Sequence, residues 1–333
     1  MKTTNVNHRK KLFITFTTLL ALLIIASLLS LGAGAIWISP LDIIQCLFTG
    51  EPTSVKNILI TFRLPRYFIA ILAGIGLSIS GAILQGILKN PLASPDVIGV
   101  SKGAGLSAAI VILLFPSAPA YTLPIFAFIG AMFVTVCLYF FARGNKLKTS
   151  TLALAGVALS ALCQAGLQLL MVKFPVEINT ALAWLAGSLW GRQWDHVYQL
   201  LPWIVVLVPL VIYFSIRIEV LSLGDELATG LGANVDRTRM LLLFLSALLV
   251  AATVAIVGTI GFVGLIAPHI ARRLVGGKYY VLLPASALIG IIVLLLADTL
   301  GKGLVPPLEI PAGVFTALIG GPYFVWLLAR SKK

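Results

Sequence analysis

With 333 residues, 59% of them hydrophobic and only 11% charged, and a mean hydropathy of +1.06, the chain cannot be an ordinary soluble domain, since such domains run about 45–50% apolar and about 25% charged. Disorder is excluded for the same reason, because disordered chains are poor in apolar residues. The net charge of +13 does not indicate a nucleic-acid partner: the cations stand in small groups between long apolar runs, as in a polytopic membrane protein, and not on one basic face.

A membrane helix needs about 20 apolar residues. Ten apolar stretches follow one another at 12–37, 64–88, 97–115, 121–141, 151–172, 197–216, 240–258, 261–274, 281–300 and 312–329. They predict an all-α polytopic membrane protein of about ten transmembrane helices. The chain reads as one membrane domain over 1–333, with a tail at 1–11, the membrane body at 12–329 and a polar segment at 217–239. The first stretch follows Arg9-Lys10-Lys11 and exceeds the roughly 7–15 apolar residues of a signal peptide, so it is read as an uncleaved span. The seventh and eighth stretches meet at Gly258-Thr259-Ile260-Gly261, where a tight reversal is expected. Placing the N-terminus inside puts 18 Lys and Arg on the inner side and 6 on the outer, so both termini are expected in the cytoplasm.

The polar residues that interrupt this pattern carry the functional reading. Arg63 and Arg66 bracket Pro65 at the outer mouth of the second span, where cations beside a helix N-terminus are disfavoured. They either dock carboxylates of an extracytoplasmic partner or snorkel to headgroups. Gly74, Ser78, Ala82 and Gly86 form a small-residue stripe suited to close helix packing. Gly156, Ser160, Gln164 and Gln168 recur at i+4 in the fifth span and face either a cavity or a neighbouring helix. The segment 217–239 holds four of the eleven acids. Within it Leu223, Leu227 and Leu231 form an apolar stripe beside Asp225 and Glu226, ending at Gly230 and Gly232. A short amphipathic helix with an acidic polar face fits a partner's groove better than a membrane surface, although a plain connecting loop is the other reading. Asp298 and Lys302, at i and i+4, form a structural pair if the helix continues. No P-loop, HExxH or CxxC occurs, so no ATP, metal or other cofactor is expected on this chain. A secondary carrier would need an ionisable midplane site, and an intramembrane enzyme a supported catalytic group; the sequence offers neither.

These residues resemble the transmembrane permeases of ABC importers for iron–siderophore complexes, haem and vitamin B12, the FecCD-type permeases, along nearly the whole chain. The matching motifs are Arg63-Leu64-Pro65-Arg66, residues 81–86 leading to Lys89-Asn90-Pro91-Leu92-Ala93-Ser94-Pro95-Asp96, and Leu154-Ala155-Gly156-Val157-Ala158-Leu159. Leu223-Gly224-Asp225-Glu226, Gly261-Phe262-Val263-Gly264-Leu265, Pro268-His269 and Leu308-Glu309-Ile310-Pro311 complete them. The resemblance implies a second permease subunit, two cytoplasmic ATPases that bind ATP, and an extracytoplasmic binding protein, all in the cytoplasmic membrane system. It further implies that Leu223, Gly224, Asp225, Glu226, Leu227, Leu231 and Gly232 couple to an ATPase, and that Arg63, Arg66 and Lys302 receive glutamates of the binding protein. Thr149 and Ser150, in the turn with Lys148, would belong to the cytoplasmic gate, continuing into a pathway along Gly156, Ser160, Gln164 and Gln168. His269 would be structural or interfacial. Thr259 stands where relatives often carry proline. The stretch 179–194 looks more like the ferric-siderophore and ferric-citrate branch than the vitamin B12 branch, so the expected cargo is a ferric siderophore, with B12 or haem as alternatives within the family.

Overall fold

In lipid every backbone N–H and C=O must be satisfied within the protein, so a chain this apolar folds as helices. The computed structural model describes residues 2–34, 36–49, 54–143, 149–304 and 308–331, and no strand occurs among them. In chain order the helices are α1 (Lys2–Gly32), α2 (Pro40–Thr49), α3 (Ser54–Ile58), α4 (Leu64–Leu88), α5 (Val100–Leu114), α6 (Thr122–Arg143), α7 (Thr149–Lys173) and α8 (Ile178–Leu185). There follow α9 (Trp194–Tyr213), α10 (Ser215–Ser222), α11 (Asp225–Gly230), α12 (Val235–Val257), α13 (Val263–Val275), α14 (Tyr279–Gly303) and α15 (Ala312–Ser331). A π-helical turn, Leu59–Arg63, joins α3 to α4.

Every apolar stretch becomes a helix, but among the described residues seven helices are long and apolar enough to cross a membrane. The remaining three stretches form α5, α13 and the apolar part of α15. The 15 residues of α5 rise only about 22 Å, short of the ~30 Å hydrocarbon core. The irregular chain before it makes up length: Ala93, Ser94, Pro95, Ile98 and Gly99 are buried in protein, the condition under which non-helical backbone is tolerated at membrane depth. Several boundaries differ from expectation. The first span ends at Gly32 rather than 37, and the sixth ends at Tyr213. The seventh starts at Val235, because the Asn234 side chain accepts from the Arg237 N–H at 3.1 Å and caps the helix early.

Helix α4 is the hub. From Ile69 to Leu88 nearly every residue is buried, and α9, α12, α13 and α14 surround it. Its stripe of small residues is a packing seam: a Cβ on Gly74 would sit 2.7 Å from the Ile291 Cα, and one on Gly290 2.7 Å from the Ser78 Cβ. The α4 and α14 backbones therefore touch, which only glycine permits, and van der Waals contact replaces the hydrophobic drive that lipid does not supply. The chain between α12 and α13 is non-helical over 258–261. There the Thr259 hydroxyl donates to the Leu185 carbonyl, pinning the turn to α8.

Candidate functional site

Three polar regions interrupt the apolar body. At the first, the start of α4 meets the end of α14. Arg66 donates from Nε and Nη2 to Asp298, the latter at 2.8 Å, and from Nη1 to Glu309 at 2.7 Å. Lys302 Nζ stands 3.6 Å from Asp298 one helical turn away and donates to the Ser30 carbonyl at 2.5 Å. Asp298 and Lys302 are 2% and 7% exposed, so this pair forms in the protein interior. Arg63 donates to the carbonyls of Leu31, Gly32 and Ile36, closing the end of α1 onto α4. The three cations read from the sequence as a docking set thus come together, but as members of an internal network and not as free surface charges. Among the described residues two acids sit among the three cations, so the cluster keeps a positive excess, and Arg63 is the cation that makes no ion pair there. A pocket of about 230 Å³ opens beside it, lined by Gly34, Phe62, Arg63, Arg66, Lys302 and Glu309. Glu309, quoted in the sequence only as part of a motif, supplies the pocket's acid.

The second region is the 217–239 segment. It is not one amphipathic helix: Gly224, at φ +120°, breaks it into α10 and a six-residue α11. A side chain is strained at that φ. Leu223 closes α10, Leu227 lies within α11 and Leu231 closes it, yet all three point outward, at 55%, 62% and 67% exposure. Glu226 is exposed. Asp225 turns inward, where its Oδ1 accepts from Lys89 Nζ at 2.6 Å and Arg239 Nη2 at 2.7 Å. Partial burial opposes ionisation there, but Lys89 and Arg239 outweigh it and hold the carboxyl below its usual range. Arg239 is wholly buried. One acid therefore ties α11 to the end of α4 and to α12, a role the sequence did not distinguish from that of Glu226. A groove of about 450 Å³ runs alongside, lined by Val220, Leu231, Gly232, Arg237 and Thr238 among others.

The third region lies between α5, α7 and the 259–262 turn. The expected α7 stripe divides. Gly156 and Ser160 pack backbone to backbone on Ile98 and Gly99, Gln168 is exposed, and only Gln164 lines a cavity, of about 440 Å³. Gln164 Oε1 accepts from Lys102 Nζ at 3.0 Å. Asp96 also lines the cavity, near Ser101 and the Phe262 backbone. Phe262 has φ +66°, unusual for a side-chain-bearing residue. Thr149 and Ser150 are placed in the first turn of α7, not in a turn before it; Lys148 lies outside the described residues. His269 has its ring edge-on to Tyr323, centroids 5.9 Å apart. Among the described residues no cluster of three or more His, Cys, Asp or Glu side chains could hold a metal.

Comparison with known proteins agrees with this architecture. Residues 22–330 match the FecCD transport family. The chain is 54% identical over 320 residues to the Fe(3+)-citrate import system permease protein YfmE of Bacillus subtilis (strain 168), covering 96% of each. It is 44% identical to the Fe(3+) dicitrate transport system permease protein FecD of Escherichia coli (strain K12), covering 83% of this chain and 86% of that protein. Among solved structures it resembles an inward-facing metal-chelate type ABC transporter, with a TM-score of 0.83 and 33% identity over 95% of this chain and 99% of that one.

Proposed function

The chain belongs to the FecCD transport family, and from that premise we propose that it carries a ferric chelate of the citrate or siderophore class inward across the cytoplasmic membrane. It is an integral membrane permease of the ABC importer type, not an enzyme, and in such importers ATP is hydrolysed on a separate subunit. The observation that carries the cargo assignment is the end-to-end likeness to a ferric-citrate permease.

The three polar regions take separate parts in this reading. Leu223, Leu227, Leu231 and Glu226 form the surface offered to a cytoplasmic ATPase, with Gly224 and Gly232 shaping it. Asp225 braces that surface against α4 and α12, so that a push on α11 reaches the membrane body. The face bearing Arg63, Arg66 and Lys302 docks an extracytoplasmic binding protein. Arg63, bonded among the described residues to neutral carbonyls, keeps its charge at a pocket mouth wide enough for a carboxylate. A second permease copy or relative lies against α7, whose Leu154, Leu162 and Leu169 are about 70% exposed. Thr149 and Ser150 stand at the inner end of the pathway so formed.

The test is reconstitution in proteoliposomes with partner ATPase and binding protein. ATP-dependent accumulation of radiolabelled ferric citrate or a ferric siderophore is expected. Accumulation of cobalamin or haem alone would overturn the cargo, and uptake driven by an ion gradient without ATP would overturn the mechanism.

A further inference from the structure

A lysine in the first turn of an apolar helix is electrostatically misplaced, because the helix N-terminus is itself positive. Lys102 is the third residue of α5, and that first turn contains no acid. An ionisable side chain in the body of a membrane protein normally faces a partner or a pathway. Its hydrogen-bond acceptor is the neutral amide oxygen of Gln164. Among the described residues the acid in the cavity lining is Asp96, which attracts the ammonium through space without a direct ion pair. Glutamine holds the lysine in place without cancelling its charge, and with Oε1 occupied the amide's remaining capacity is to donate. Apolar side chains, among them Leu167, Met171, Leu182 and Val314, make up much of the remaining wall, with Ser101 and Thr259. An apolar chamber with a few convergent polar groups is the usual form of a small-molecule site, and about 440 Å³ falls within the usual range of such sites.

We propose that Lys102, positioned by Gln164, is an anion-recognising subsite in the translocation cavity that contacts a carboxylate of a negatively charged iron chelate during passage. This rests on the iron-chelate reading above and adds the charge of the cargo to it. A lone ammonium suits transit: it gives a point attraction without the geometric grip of a bidentate guanidinium, so cargo is drawn in and still released. Asp96, in the same lining, tempers the positive charge and prevents the chamber from becoming an anion trap.

The test uses the complete importer in proteoliposomes, supplied in parallel with labelled ferric citrate and a neutral ferric hydroxamate. Lys102→Gln is expected to slow ferric-citrate uptake about tenfold, the worth of one charge-assisted hydrogen bond. Binding-protein-stimulated ATP hydrolysis should stay near the wild-type rate, and Lys102→Arg should restore uptake to within about twofold. A purely structural lysine would instead lower ATP hydrolysis and uptake together, which would overturn the subsite. Unchanged ferric-citrate uptake by Lys102→Gln would also overturn it. A wild-type importer that moves only the neutral chelate refutes the subsite but leaves the iron-chelate reading standing, and one that moves neither refutes both.

Discussion

Replacing Asp298 with asparagine would leave two cations, Arg66 and Lys302, without their shared counter-charge in a site where Asp298 is 2% exposed. Breaking a buried ion pair from one side costs on the order of 3 kcal/mol. Asp298→Asn is therefore expected to lower the thermal unfolding midpoint in detergent clearly. The double variant Arg66→Gln/Asp298→Asn should be less destabilised than the sum of the two singles, since both remove one network; strict additivity would show that the network does not exist. The Asp298–Lys302 pair is legible in the sequence because helical spacing alone brings i and i+4 together. Arg66 is not, because it lies 232 positions from Asp298 and only the packing of α4 on α14 joins them. Lys102 is legible only as an oddity, a cation opening an apolar helix; its glutamine partner, 62 positions on, is again a product of packing.

At the scale of single elements, α11 separates two roles that the sequence ran together. Leu227 is exposed and touches no core, so Leu227→Asp should leave folding intact and weaken ATPase association by about tenfold or more, as loss of an apolar anchor does at an interface. Asp225→Asn should leave association nearly normal and lower the transport achieved per ATP hydrolysed, because it loosens the brace to Lys89 and Arg239. Equal losses of association in both variants would contradict this division. The carboxyl of Asp225 is held below its ordinary value, so the brace is complete above that value and is released only as pH falls through the depressed one. Coupling efficiency is accordingly expected to be level from pH 6 to 8 with respect to this group. The segment's leucines and acids are visible in the sequence, but the break is not: Gly224, at φ +120°, divides it between two helices.

For the whole molecule, each of the ten apolar stretches forms a helix, and among the described residues seven helices are long and apolar enough for a crossing. What hydropathy did not show is the amphipathic trim at the surfaces. α2, α3 and α8 are too short to span, and in the 89–99 chain Ala93, Ser94, Pro95, Ile98 and Gly99 are buried by protein. The charge count makes a further prediction. Alkaline phosphatase fused after residue 331 should be inactive and a fluorescent protein fused there bright, since both termini are expected on the cytoplasmic side; the opposite pattern would invert the molecule and exchange the docking and coupling faces. The encasement of α4 also bears on how the protein meets its solvent. A rod sheathed on all sides by its own chain is insulated from changes in bilayer thickness, whereas thinly covered α1 and α7 feel hydrophobic mismatch directly. Lipids of unusual acyl length should therefore tilt the periphery while the axle keeps its bearing.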